Sequence, residues 1–149
     1  MKAKEVLLWS IALPGFGQIL NQKYIKGIVF IGLEFLVNVQ ANFNEVIRFS
    51  FLGETHLALA QTDFGWLMFY PCLYFFAMWD AFYDAGGGKG AYDFLPFVFS
   101  AYFVTVGLMY ASKVKLFGVL LGPVWLPMLS VIPGVVIGFI LKKIIYKLK

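Results

Sequence analysis

Long apolar stretches separated by short polar segments dominate the chain. Three of them are long enough to cross a bilayer as single helices: residues 64–82, 94–110 and 116–141. At about 1.5 Å per residue, the first covers roughly 28 Å as a helix, close to the ~30 Å hydrocarbon core of a membrane. The third exceeds that thickness and contains three prolines. We therefore expect it to be tilted, kinked or broken into a hairpin.

The first forty residues predict a helical hairpin over residues 5–41. Its first arm, Val6–Leu20, is apolar but short, and the segment from Pro14 to Gly17 interrupts it. Proline cannot donate a helical hydrogen bond and glycine tolerates positive φ, so the chain is expected to turn here. The second arm, Ile25–Ala41, follows a small polar patch. The first arm therefore either spans the membrane or enters it and returns.

Residues 42–63 form the longest connection, and we expect them to lie at the membrane interface. Four apolar residues recur there at helical spacing, with polar residues on the opposite side. This pattern predicts a short amphipathic helix, and an irregular loop with apolar anchors is the alternative. The four apolar residues are Phe43, Val46, Ile47 and Phe51.

Composition separates this chain from soluble proteins. Hydrophobic residues make up 61% of it and charged residues 13%, against about 45–50% and about 25% in ordinary globular domains. A chain of 149 residues has too little interior to hide that much apolar surface from water. The sequence therefore predicts an all-α integral membrane protein, with residues 1–149 as a single membrane domain of four or five membrane segments.

The distribution of basic residues limits the topology and the partners. A re-entrant first arm with a single last helix places nine basic residues on one side and three on the other. A spanning first arm with a last stretch broken at its prolines gives the same division, whereas five simple spans with the N-terminus inside give five and seven. The positive-inside rule rejects the last arrangement, and both others place the two termini in the cytoplasm. Because four lysines simply follow the last apolar stretch, the net charge of +4 predicts no nucleic-acid partner.

Two short patterns occur in a familiar order. The first is P-G-F-G-Q at residues 14–18 with Y-I-K-G at 24–27, and the second is W-D-A-F-Y-D-A at 79–85. Together they resemble small bacterial membrane proteins related to the TM2-domain family, over about residues 5–85, although this chain inserts residues 40–63. The resemblance implies a TM2-like hairpin in the bacterial cytoplasmic membrane and a scaffolding, assembly or accessory role. The turn residues it singles out are Pro14, Gly15, Gly17, Gln18 and Tyr24.

Glu34 is the least expected residue, because it lies midway along an apolar arm. An ionisable residue at membrane depth costs a few kcal/mol on insertion scales and is by default a candidate for function. One hypothesis is a ligand or ion site formed with Asn38 and Gln18. The alternatives are a structural pairing of Glu34 with Asn38, Gln18 or a tyrosine, or a neutral carboxyl.

Asp80 and Asp84 share one helix face near the cytoplasmic end of the third segment. Helix capping and solvation at the headgroups explain them most simply, and a Mg²⁺ site shared with Asp93 is the enzymatic alternative. His56 is the only histidine, so we expect no metal site and no cofactor.

The last apolar stretch carries two pairs of glycines at four-residue spacing. Small residues at this spacing let membrane helices approach closely, either within the chain or between copies of it. The glycines are Gly118, Gly122, Gly134 and Gly138.

The expected function follows from these features. We expect a small non-enzymatic bacterial membrane protein, a scaffold or accessory subunit, that acts through helix packing. Its partners would be the lipid bilayer and either another membrane protein or a second copy. The alternative is a small transporter or channel component that uses Glu34, and a lipid-modifying enzyme ranks third.

Overall fold

The computed structural model describes residues 2–148, which are mostly helical. The predicted all-α class is confirmed, apart from one two-stranded β-hairpin. The helices are α1 (Ala3–Ala12), α2 (Phe16–Leu20), α3 (Tyr24–Gln40), α4 (Phe43–Phe51), α5 (Thr55–Gln61), α6 (Phe64–Leu67), α7 (Tyr70–Asp84), α8 (Leu95–Met109) and α9 (Gly122–Leu148). The strands are β1 (Lys115–Leu116) and β2 (Val119–Leu120).

The N-terminal arm doubles back on itself. The ten residues of α1 cover only about 15 Å, and the chain turns at Gly15, whose φ is +94°. A Cβ at this position would lie 2.5 Å from the carbonyl oxygen of Gly27, so both the backbone angle and the space require glycine. The Ile11 carbonyl accepts a hydrogen bond from Tyr74, early in α7, and Asn21 bonds to Ala81 near its end. The arm therefore returns toward the end at which it started.

The longer segments run back and forth between two ends of the molecule. At one end Lys26, in the first turn of α3, contacts Asp84, the last residue of α7, and Lys142, near the end of α9, contacts Asp93 just before α8. We call this the lysine-rich end. At the other end, the hairpin end, the amide of Asp63 donates to the carbonyl of Ala41. Four segments thus connect the two ends: α3, α6 with α7, α8 and α9.

The segment at 64–82, predicted as one helix, is interrupted. Pro71 lacks an amide hydrogen and cannot bond to the carbonyl four residues earlier. Just before it, the Phe69 amide bonds to Trp66, three residues earlier, which tightens the turn and separates α6 from α7. α7 then continues two residues beyond the predicted end, to Asp84.

The boundaries predicted for the last segment, 116–141, are wrong at both ends. Its first residues form the hairpin, in which Lys115 pairs with Leu120, and α9 runs from Gly122 to Leu148. The central hairpin residues, Phe117 and Gly118, both have positive φ, as in a type I′ turn. Gly118 therefore lies in a turn, and a Cβ there would meet no atom of residues 2–148 within 4 Å, so the helix packing predicted for this glycine is wrong.

The predicted break at the prolines of this segment is also absent, because α9 continues through Pro127 and Pro133. Pro123 lies in the first turn, where an amide hydrogen has no helical acceptor to lose. The two interior prolines each remove one helical hydrogen bond, but α9 packs along α8 and this packing holds it in one piece.

Glycines bring α8 and α9 into close contact. A Cβ on Gly134 would lie 2.6 Å from the Cα of Ser100, and one on Gly138 would lie 2.4 Å from the Cα of Pro96. Gly122 instead approaches Thr55 at the start of α5, where a Cβ would lie 2.6 Å from Cγ2 of that threonine. The three glycines of α9 thus pack within the chain.

Residues 42–63 contain two helices rather than an irregular loop. Asn42 has a φ of +57° and α4 bends away from α3 by 67°. The apolar side of α4 buries Val46 against Ala58 of α5 and Val124 of α9. The pair therefore covers the hairpin end of the molecule.

Replacing Gly138 with alanine tests the close helix contact. Because the new methyl group would meet backbone atoms of α8, we expect Gly138→Ala to lower the free energy of unfolding by about 1–3 kcal/mol. Gly32→Ala is the matched control, since that helical glycine has open space around it and alanine favours helix by about 1 kcal/mol. Chemical unfolding in mild detergent measures both. Equal stability of the two variants would contradict the packing described.

Candidate functional site

The two sequence patterns meet in space at the lysine-rich end. The Nε2 of Gln18 donates to the carbonyl of Ala77 at 2.8 Å and to Oδ2 of Asp80 at 2.9 Å. Asn21 donates to the carbonyl of Ala81 at 2.8 Å. Residues about 60 positions apart in the chain therefore hold α2 against the last turns of α7.

Lys26 completes this network by bridging both aspartates. Its Nζ lies 2.7 Å from Oδ1 of Asp80 and 2.8 Å from Oδ2 of Asp84. The two aspartate side chains are only 18% and 19% exposed, whereas that of Lys26 is 46% exposed. We call Gln18, Asn21, Lys26, Asp80 and Asp84 the polar clasp. The sequence predicted that the two aspartates cap a helix and face solvent. In the structure both are instead ion-paired with Lys26.

Close packing surrounds the clasp. A Cβ on Gly17 would lie 2.0 Å from Oγ of Ser10 and 2.7 Å from the Cβ of Ala81. Pro14 and Gln18 are fully buried, whereas Tyr24, the remaining residue of the predicted turn motif, is 59% exposed at the start of α3. The turn motif therefore serves to bring α2 and α7 together, and Tyr24 lies outside that contact.

Glu34 lies on the inner face of α3 and is 8% exposed. It interacts with the hydroxyl of Tyr70 in α7, while its Oε2 is buried and has no hydrogen-bond partner among residues 2–148. Asn38 bonds instead to Asn44, and the amide of Gln18 is engaged in the clasp. Within residues 2–148, no hydrogen bond therefore joins Glu34 to Asn38, its neighbour one turn along α3, or to Gln18, and Glu34 is paired with a tyrosine instead.

The three aspartates of the enzymatic alternative do not converge. Asp93 pairs with Lys142 and also accepts a hydrogen bond from the amide of Gly90. The hydrogen bond from Lys142 holds the pKa of Asp93 below its usual range. Within residues 2–148, no group of three or more His, Cys, Asp or Glu side chains is placed to hold a metal ion.

Two contact residues of these sites were not identified from the sequence. Lys26 lies inside the first pattern, so its position was a usable signal, but nothing in its spacing identifies the aspartates of α7 as its partners. Tyr70 gave no signal, because its contact with Glu34 depends on how α3 and α7 are rotated against each other.

Comparison with known proteins adds no assignment. No protein-family model, no curated protein and no solved structure matches this chain.

A double-mutant cycle tests the clasp. Lys26→Met and Asp84→Asn each remove one side of an ion pair without leaving Gln18 unpartnered. We expect a coupling free energy of about 1 kcal/mol between them, the upper range for a partly exposed pair. The measurement is chemical unfolding of the wild-type protein, both single variants and the double variant in mild detergent.

The exposed pair between Arg48 and Glu45 on α4 is the matched control. The distance from Nη2 of Arg48 to Oε2 of Glu45 is also 2.8 Å, but this pair joins neighbouring turns of one helix. Its coupling should be about 0.3 kcal/mol. A clasp coupling no larger than this would mean that the ion pair does not hold α3 to α7.

Proposed function

We propose that this chain is a multi-pass membrane protein with a non-enzymatic scaffold or accessory role. The observation that supports it most is the arrangement of polarity. Large apolar side chains such as Phe35, Phe76 and Ile132 face outward, while Gln18 and Glu34 are buried. Soluble monomers rarely expose apolar patches of more than a few hundred Å², and lipid would cover these surfaces at no cost.

The length and exposure of α9 support membrane insertion. It is the one helix within residues 2–148 that is by itself long and apolar enough to cross a bilayer, and α3 with α4 is a second candidate if that bent pair is one span. Only 22% of the most apolar window of α9 is buried. A core helix of a soluble protein would be mostly buried, so lipid is the natural surrounding for this one.

The charge distribution supports both termini in the cytoplasm. The returning N-terminal arm and the unbroken α9 correspond to the topology with nine basic residues inside. Eight of these are described and belong to the lysine-rich end, and Lys149 lies outside the described residues. The opposite end carries Arg48, Lys113 and Lys115. With the TM2 resemblance, this favours a bacterial cytoplasmic membrane.

The use of the polar residues supports a scaffold. The clasp residues contact each other and the α7 backbone, and this fixes the N-terminal arm on the bundle. The exposed outer face of α3 is then free for a helix of another membrane protein or of a second copy. The buried, unpartnered oxygen of Glu34 favours a small transporter or channel component as the second candidate.

Site-specific photo-cross-linking in native membranes tests the scaffold role. A photoreactive residue replacing Phe35, which is 69% exposed on α3, should capture one protein at near-stoichiometric yield. The same residue replacing Val37, which is 5% exposed, is the matched control and should capture none.

Capture of lipid alone from the Phe35 position would contradict the scaffold role. Ion or solute flux in proteoliposomes that Glu34→Gln abolishes would favour the transporter instead. Release of the chain from membranes by alkaline carbonate would contradict both.

A further inference from the structure

A continuous stripe on α9 joins an apolar surface to a basic one. Val131, Val135 and Phe139 follow each other at four-residue steps, and Lys143 and Tyr146 extend the same face to the end of the helix. Each residue at this spacing lies next to the previous one, and the row turns around the helix by about 40° per four-residue step. The stripe thus changes from apolar to cationic at the lysine-rich end. This change is complementary to that of a bilayer, in which apolar acyl chains give way to anionic phosphates.

The apolar half of this stripe lines a groove. Helices α1, α7, α8 and α9 enclose a lateral groove of about 470 Å³, open on one side. Its walls include Leu8, Met78, Phe97, Val131, Val135 and Phe139. Asp93 lines its polar end, where Lys142 neutralises the carboxylate. The groove therefore has the shape and polarity to hold a hydrocarbon chain that enters from the side.

A basic recess continues the groove at Phe139, which lines both. The recess is formed by Phe139, Lys142, Lys143 and Tyr146 of α9 together with Gly90 and Ala91 of the preceding loop. Lys142 is paired with Asp93, but Lys143 and the neighbouring Lys147 are exposed and form no ion pair in the part of the chain that the structure describes. Within residues 2–148, their charge therefore has no counter-ion.

We propose that the groove and the recess together bind one anionic phospholipid. An acyl chain would lie along Val131, Val135 and Phe139, and the headgroup phosphate would meet Lys143 and the Tyr146 hydroxyl. Basic pockets between helices at the cytoplasmic face recognise anionic headgroups in this way. The charge complementarity and the continuity at Phe139 favour this occupant over a partner helix, which would leave the lysines unmatched. The inference rests on the proposed membrane location.

Native mass spectrometry of the full-length protein tests the proposal. After reconstitution with equal amounts of phosphatidylglycerol and phosphatidylcholine of the same chain length, the protein should retain the anionic lipid preferentially. Lys143→Gln should reduce this retention about fivefold, the factor expected for one lysine near an anionic surface. Lys113→Gln, an exposed lysine at the hairpin end, is the matched control and should leave the retention unchanged.

The groove is tested separately. Val135→Phe should fill it and reduce retention of phosphatidylglycerol, whereas Val136→Phe, one position away on the outer face, should not. Glycerol phosphate, which carries the headgroup without chains, should bind far more weakly than the lipid. If it binds equally well, the groove has no part in recognition and the proposal is wrong.

Two other outcomes separate this inference from the proposed function. Equal retention of both lipids, or equal loss in Lys143→Gln and Lys113→Gln, would overturn the lipid site while the membrane role stands. A chain that does not enter the bilayers at all would overturn both. Because Lys143 is exposed, its variant leaves the fold intact and keeps the test decisive even if Val135→Phe fails to fold.

Discussion

The contact between the returning N-terminal arm and the end of α7 is the interaction on which the rest of the architecture depends. A chain that turns back partway along a bundle leaves amides and carbonyls without helical partners, and in the proposed membrane location lipid could not satisfy them. Here Tyr74 bonds to the carbonyl of Ile11, and the clasp residues Gln18 and Asn21 bond to the backbone of α7. Lys26 then forms an ion pair with each of the two partly buried aspartates, which would otherwise have no cation beside them.

This contact sets the direction of every later segment. Because the arm begins and ends at the lysine-rich end, α3 starts from the side at which the chain began. The four longer segments then return the last helix to that same end. Eight described lysines contribute to the positive charge at this end, and the stripe on α9 places one of them, Lys143, next to an apolar groove.

Helices whose ends are marked by polar residues could be predicted from the sequence. Features that depend on contacts between distant parts of the chain, or on an unusual backbone angle, could not. α8 ends within one residue of its prediction because Asp93 and the lysines after Met109 bound a uniform apolar stretch. The β-hairpin was missed because its residues from Leu116 to Leu120 continue the apolar stretch that follows, and because Phe117, unlike glycine, gives no sign of positive φ. The spacing of Asp80 and Asp84 indicated a shared face, but the lysine that bridges them lies 54 positions earlier than Asp80.

The central claim, that the N-terminal arm turns back and does not cross, can be tested by thiol labelling in right-side-out membrane vesicles. In a Cys72→Ala background, single Lys4→Cys and Lys23→Cys variants place one thiol at each end of the arm. Both should be protected from a membrane-impermeant maleimide, whereas Lys113→Cys at the hairpin end should react. Protection of one end of the arm with labelling of the other would mean that the arm spans the bilayer, which would contradict the returning arm and the topology that depends on it.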